Sequence, residues 1–511
     1  MNDWPLSLRL KSMDPWRTAW VLVLSLFLGS PLSAQEPVPG ALTLDEALQI
    51  ALGSNPGLQA ERNDVAVADW DVKSAYGGWL PSASVGSSMS WQGAGEERFG
   101  GLTASQLGFP DQPSLYFSSY SLGVNYQLNG RMLRAPGQAK RLREATLARV
   151  GTAEATLRLN VTRTYLEVLR QSEGLTLAEQ ELARAEVNLR LAEGRQEVGS
   201  GNAIDVRQAE VNVGRAQVTL LQSETGVRTA RIRLLQQLGV ELIQEPALTT
   251  EFAVTEPLWT AGELYGAALD QNPGLQSLRA NQEASNYGVS IARSEYYPTV
   301  SFQAGWSGFT RQASNTLSQE AQAIANGEAQ VQNCAALNEL VSRLADPLPT
   351  QDCAQFVTSS SQLQAIRDAN SAFPFDFTNN PPSASMSISI PVFQGLSRQR
   401  GVEEAKAQQS DARYRVREQE LALRADIEAQ VAVVRTAYES ALIEERNQGL
   451  ADEQLRLAQE RYRLGFSNFI ELVEAETVKA QADRARIGAI YTYHDAIADL
   501  ESIVGTPLRN P

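Results

Sequence analysis

The sequence predicts a mainly α chain with a β-barrel part, built as two copies of one strand-strand/long-helix-hairpin unit. Three observations predict it. Landmark residues recur in order along the chain, four segments alternate strictly between apolar and small polar residues, and long stretches carry apolar residues at steps of three and four.

Composition bounds the function classes before any element is placed. The 511 residues are 43% hydrophobic and 20% charged, enough for a sizeable core. A net charge of −15 argues against nucleic acid as a partner. One histidine, His494, and two cysteines, Cys334 and Cys353, leave too few ligands for the common zinc sites or for Cys–His catalysis. There is no phosphate-binding GxxxxGK[ST] loop and no credible Ser-His-Asp set, so neither enzyme activity nor a cofactor is expected. Met89 and Met386 fall on apolar strand faces, which gives no support to a copper site. No run of 18 apolar residues occurs, so no transmembrane helix is predicted.

At the N-terminus, Arg9, Lys11 and Arg17 precede the apolar run Trp20 to Leu28, then Gly29, Pro31 and Ser33-Ala34. This order predicts a secretory signal peptide over residues 1–34, cleaved after Ala34; the alternative is a short buried helix. Export would leave a chain of charge −16, since the segment holds three basic and two acidic groups.

The duplication is read from landmarks. Asn55-Pro56-Gly57-Leu58 returns as Asn272-Pro273-Gly274-Leu275, and Trp79-Leu80-Pro81 as Tyr296-Tyr297-Pro298, both at an offset of 217. Gly130, Gly199 and Gly239 match Gly395, Gly465 and Gly505 at 265 or 266. Repeat 1 spans 35–239 and repeat 2 spans 263–511, joined by a linker or equatorial segment over 240–262.

Strands are predicted at about 80–92, 116–128, 299–309 and 383–393 from a period of two. Ala83, Val85, Met89 and Trp91 alternate with Ser82, Ser84, Gly86, Ser88 and Ser90; the other three segments repeat this with Tyr116 to Leu128, Val300 to Trp306 and Ala384 to Ile390. Apolar residues on one face and serines on the other suit a barrel strand between lipid and a wet lumen. A single such strand also fits a soluble sandwich.

The helices carry the coiled-coil period. Leu175, Ala178, Leu182, Ala185, Leu189 and Ala192 form one narrow seam, and Ala441, Ala451, Leu455, Ala458 and Tyr462 another. Hairpins are predicted at about 137–238 and 401–504. The long helix from Gly137 to Val198 has about 62 residues, roughly 90 Å. The two short helices of a copy sum to about 60, which predicts that they stack end to end against the long one in a pencil-shaped assembly.

From Leu42-Thr43-Leu44-Asp45-Glu46-Ala47-Leu48 to Gly505 the chain resembles the TolC-type outer-membrane efflux protein family. The resemblance rests on the duplicated Asn-Pro-Gly-Leu, on Pro81 and Pro298, and on two helix–turn motifs, Val198-Gly199-Ser200-Gly201-Asn202-Ala203-Ile204-Asp205-Val206 and Arg461-Tyr462-Arg463-Leu464-Gly465-Phe466-Ser467-Asn468-Phe469-Ile470-Glu471-Leu472. It implies a homotrimer in the outer membrane of a Gram-negative bacterium. Four strands per chain would close a twelve-stranded barrel in outer-membrane lipid, continued by a periplasmic helical tunnel. The implied function is a passive exit duct of a tripartite efflux or type I secretion system, opened by docking with a periplasmic adaptor (membrane fusion protein) and an inner-membrane pump. Physics independently requires at least two chains, because four strands cannot close and open edges are not tolerated in lipid. A periplasmic or secreted coiled-coil scaffold is the alternative.

The resemblance also assigns the tips. Glu471 and Glu474 map onto carboxylates that constrict the tunnel, and three copies would ring a narrow axis with negative charge; solvated helix-end charges are the plainer reading. Asp205, with Tyr462 as its partner, maps onto a latch that holds the tip closed, and Ser467 stands where a family arginine bridges to that aspartate. The turns Gly199-Ser200-Gly201 and Gly465-Phe466-Ser467 would receive the adaptor, or simply cap their helices. Between the second pair of strands lies a long loop, 310–382, expected outside the cell, with short helices around Ser314–Asn326 and Ala335–Leu344. Cys334 and Cys353 lie in it, where an oxidising location favours a disulfide over free thiols.

Overall fold

A computed structural model describes residues 40–95, 98–103, 106, 112–241, 246–250, 252–343 and 349–509. The expected signal peptide, 1–34, lies outside them. In chain order the elements are β1 (Ala41–Leu42), α1 (Leu44–Ser54), α2 (Pro56–Gly77), β2 (Ser82–Gln92), β3 (Arg98–Phe99), β4 (Leu102–Thr103), β5 (Leu115–Leu128), α3 (Gly130–Glu197) and α4 (Ala203–Leu238). Then come β6 (Ala247–Leu248), α5 (Ala261–Gln271), α6 (Pro273–Ser294), β7 (Thr299–Ala313), α7 (Leu317–Ser342), a 3₁₀ turn (Cys353–Phe356), α8 (Ser360–Ala369), β8 (Ser383–Ser389), α9 (Ser397–Arg463) and α10 (Phe469–Val504). Two compact units divide them. One holds the described residues up to Asn63, Ala148–Gly274 and Glu420 onward; the other holds Asp64–Leu147 and Leu275–Gln419.

The second unit contains a four-stranded antiparallel sheet of order β2-β5-β7-β8. Its register sets Val85 opposite Leu122 and Leu122 opposite Trp306, while Tyr126 faces Phe302 and Phe302 faces Met386. The apolar sets of all four strands therefore share one face, which also carries Ser87 and Ser118, and the other serines of β2 and those of β8 share the opposite face with Ser119, Ser121, Ser301 and Ser307. In the single chain Val85 is 80% exposed.

Long-range bonds move several boundaries away from the sequence expectation. The first long helix begins at Gly130 rather than 137, carrying Pro136 inside it. Asn129 Oδ1 accepts the Met132 N–H at 2.9 Å, and the Trp79 indole N–H donates to Met132 O at 2.7 Å. That carbonyl is the one Pro136, lacking an N–H, leaves without a helical donor. Its counterpart α9 starts at Ser397, not 401, with buried Arg398 stacked 4.8 Å over the Tyr296 ring. β7 runs on to Ala313 because β5 pairs with it as far as Leu115, and the loop partners it as well: Asn370 bonds both Ala313 N and Ala313 O (2.7 and 2.8 Å), and Thr378 N donates to Phe309 O (2.9 Å). β8 stops at Ser389, short of 393, where Pro391 has no N–H and Gly395 and Leu396 turn at positive φ. Where two short helices are expected around Ser314–Asn326 and Ala335–Leu344, the loop, which carries α8 further on, holds one continuous helix, α7. Gly327 sits within it because a side chain there would collide with Thr358 Oγ1 and Phe356 O. A disulfide joins Cys334 to Cys353, Cα–Cα 5.7 Å.

In the first unit β1 and β6 pair in parallel, and the buried Tyr165 hydroxyl donates to Leu42 O at 2.9 Å. Identical Thr–Glu capping boxes open α1 (Thr43, Glu46) and α5 (Thr260, Glu263). The duplicated asparagines organise helix ends. Asn55 N–H closes α1 on Ala51 O (2.9 Å), its Oδ1 caps α2 through Leu58 N (3.1 Å), and its Nδ2 donates to Gln237 O in the last turn of α4 (2.9 Å). Asn272 likewise bonds Ala268 O and Ile503 O. Gly239, at φ 75°, abuts Ser54 to Pro56 so closely that a Cβ would lie 2.7 Å from Ser54 O. The end of α4 thus meets the start of α2, as the helix lengths imply. Ile427, Val431, Val434, Tyr493, Ile497 and Leu500 pack with Leu264 and Ala268 as the core.

Candidate functional site

The two hairpin turns, α3–α4 and α9–α10, have the same construction. In each, glycine takes the left-handed conformation after the long helix: Gly199 at φ 73° and Gly465 at φ 81°. Ser200 N donates back to Arg195 O at 2.9 Å and Phe466 N to Arg461 O at 2.8 Å, the six-to-one bond that closes a helix C-terminus. Gly201 lies against this closure, since a Cβ would come within 3.0 Å of the Arg195 and Gln196 backbone. Asn202 and Asn468 then cap the descending helices, accepting from Ile204 N (3.1 Å) and Glu471 N (2.9 Å).

The tips share a core: Ala192, Val206 and Ala209 pack with Leu455, Tyr462, Phe469 and Leu472. Tyr462 is 2% exposed, and its ring lies 5.8 Å from that of Phe469. Its polar partner is Arg195, which sequence reasoning missed. Arg195 Nη1 donates to Tyr462 O at 2.8 Å, and the guanidinium stacks 4.5 Å from the ring centroid. Burial pushes the Tyr462 hydroxyl above its ordinary pKa; Arg195 opposes this, and the Asp205 charge adds to it. The tip therefore joins Tyr462 to Arg195, with Asp205 acting at longer range. Arg461, the duplicate of Arg195, turns instead to its own hairpin and pairs with Glu471 at 3.1 Å. Glu474 is exposed, and Ser467 follows Phe466 at the turn.

Beyond Arg195, which crosses to Tyr462 of α9, a polar ladder joins α3 to α10. Tyr491 donates to Glu173 (2.8 Å), Arg484 pairs with Glu181 (2.8 Å), and buried Asn188 donates to Glu476, whose carboxyl burial holds above the ordinary range. Glu181, Asn188 and Arg195 recur every seven residues beside the apolar seam. That spacing was the available signal. Around the turns Val198, Ile204, Leu464, Phe466 and Ile470 are exposed, Phe466 by 74%. Among the described residues no cluster of metal-ligating side chains occurs, and no helix is long and apolar enough to cross a membrane.

The family model described as "Outer membrane efflux protein" matches residues 47–240 and 264–506, both copies of the repeat. The chain belongs to the outer membrane efflux protein family. Among curated relatives of this chain is the pyoverdine export outer membrane protein OpmQ of Pseudomonas putida, 27% identical over 278 residues, 52% of this chain and 58% of the relative. The outer membrane efflux protein BepC of Brucella suis is 25% identical over 281 residues, 55% and 57% of the two chains. The chain thus spans a little over half the length of these relatives. Solved outer-membrane channels share the fold. CusC gives a TM-score of 0.66 at 16% identity, covering 93% of this chain and 96% of that chain. The open-state MtrE channel of Neisseria gonorrhoeae gives 0.63 at 17%, covering 91% and 89%.

Proposed function

We propose that this protein is a passive exit duct in the outer membrane, opened when a periplasmic adaptor and inner-membrane pump dock on its hairpin tips. The observation that carries the reading is the sheet: four strands with every apolar set on one face, most serines on the other, and two open edges. Such a sheet suits lipid outside and water inside, but only when closed by further copies. Three chains would close twelve strands, with repeats 35–239 and 263–511 contributing two strands each and the helical hairpins lying in the periplasm.

The exposed apolar residues around Gly199 and Gly465 suit an adaptor surface. At the tip Glu474 is the freer constriction candidate, because Arg461 already neutralises much of Glu471. Relatives named for pyoverdine export and fusaric acid resistance support small organic solutes as the cargo to test first.

Fractionation and bilayer recording test the proposal. A heat-modifiable trimer in the outer-membrane fraction that conducts ions, with cation preference weakened by Glu471→Gln and Glu474→Gln, is the expected result. A soluble monomer overturns the channel; unchanged selectivity overturns the carboxylate assignment alone.

A further inference from the structure

The four strands β2, β5, β7 and β8 carry a single charged side chain, Arg311, close to the end of β7. The register places it on the serine face, directly opposite Phe117 of β5, and its guanidinium lies 5.6 Å from the centre of that ring. Phe309 stands on the same face, opposite Ser119, and is 51% exposed. Arg311 is exposed as well, and among the described residues it makes no ion pair. A permanent cation, unopposed by any carboxylate of the strands, is thus flanked by two aromatic rings on a surface otherwise made of serine, glycine and amide residues.

The loop decides which face stays open at this level. It folds over the apolar one: Phe373 meets Tyr116 at 5.5 Å, Phe377 meets Tyr120 at 5.0 Å, and Thr378 O would lie 2.6 Å from a Cβ on Gly308. Ser118 and Thr310, on that face, are 2% and 3% exposed. The Arg311 face is left clear. This end of the strands leads into the loop, away from the helices that end at Ser294 and begin at Gly130.

A carboxylate accepts two parallel hydrogen bonds from a guanidinium, and stacking on Phe117 orients the fork before a ligand arrives. The exposed Phe309 ring offers an apolar surface to a ring on the ligand. We propose that Arg311, Phe117 and Phe309 form a binding site, one per chain, for solutes that join a carboxylate to an aromatic ring. The site lies within a single chain; its place at the outer mouth of a water-filled duct rests on the exit-duct reading above. In that position it gives anionic solutes a favourable station on leaving a protein whose net charge of −15 repels them.

Fluorine NMR of para-fluorobenzoate with the purified full-length protein in detergent tests the site, with empty micelles as the blank. Line broadening that benzoate competes away is the expected result, and para-fluorobenzyl alcohol, which lacks the charge, should show little of it. Arg311→Gln is expected to weaken binding about tenfold, the loss of one charge-assisted interaction. Arg311→Lys should fall between, because a point charge keeps the attraction and loses the fork. Phe309→Ala should weaken para-fluorobenzoate and leave trifluoroacetate, an anion without a ring, unchanged. Arg343→Gln removes an exposed loop cation that pairs with Glu339 and should change nothing. Equal broadening in wild type and Arg311→Gln overturns the site, as does an equal loss in Arg343→Gln. The oligomeric state of the same samples separates the two readings. Arg311-dependent binding to a monomer keeps the site and overturns the duct, whereas a conducting trimer without such binding overturns the site alone.

Discussion

The Asn55 carboxamide donates to the Gln237 carbonyl at 2.9 Å, so one residue serves the ends of three helices, two of them through its side chain. Replacing Asn55 with alanine removes both a helix N-cap and a donor to an otherwise unmatched carbonyl. The expected loss is about 1–2 kcal/mol, read as a lower melting temperature of the purified protein. Asn55→Asp keeps the acceptor and loses the donor, so it should fall between wild type and alanine. An alanine variant as stable as wild type removes the side chain's role at the two helix ends.

The Trp79–Met132 bond predicts a coupling across the sequence. Trp79→Phe keeps the ring and deletes the N–H, at about 0.5–1.5 kcal/mol. In a Pro136→Ala background the helix supplies its own donor to Met132 O, and the Trp79→Phe penalty should shrink toward zero. Additive effects in the double-mutant cycle would show that the indole serves no such purpose.

Arg195→Ala deletes the stacked guanidinium and its bond to Tyr462 O. On the proposed gating role, the closed tip loses about 1–2 kcal/mol, roughly five- to thirtyfold in the closed-to-open ratio. Bilayer recordings should show longer openings. Arg195→Lys should resemble alanine more than wild type, because a point charge reproduces neither the stacking nor the fork. Unaltered gating in both variants would confine Arg195 to a structural role.

His494, 3% exposed between the Phe252 and Tyr493 rings, has its pKa lowered to about 4 by burial and then by Arg509. The unfolded chain binds this proton near pH 6.5 and the folded chain only near 4. Stability is therefore full above 6.5 and declines as the pH falls through that window, by on the order of 3 kcal/mol. His494→Phe should flatten this part of the stability profile between pH 6.5 and 4. An unchanged slope would assign the decline to other groups.

The sequence made periodic features legible. Alternation placed the four apolar strand faces, and the helix lengths foresaw α4 ending against α2. What it hid were bonds between distant residues. Pro136 signals a helix start until Trp79, 57 positions earlier, supplies the missing donor. β7 outruns its alternation because β5 pairs with it as far as Ala313, and Asn370 and Thr378 bond its backbone. Arg195 stayed unseen for a related reason. Its duplicate Arg461 has the same local context yet bonds within its own hairpin, so local sequence could not say which arginine crosses.

The asparagine junctions have a further consequence for the chain's modularity. Asn55 finishes the helix of its own half, at Gln237, and Asn272 does so for the other, at Ile503. Neither half borrows this closure from its sibling. A polypeptide severed between Thr255 and Leu258 keeps every such closure intact, so two co-expressed fragments are expected to reconstitute the fold. The heritable building block, on this view, is half a chain.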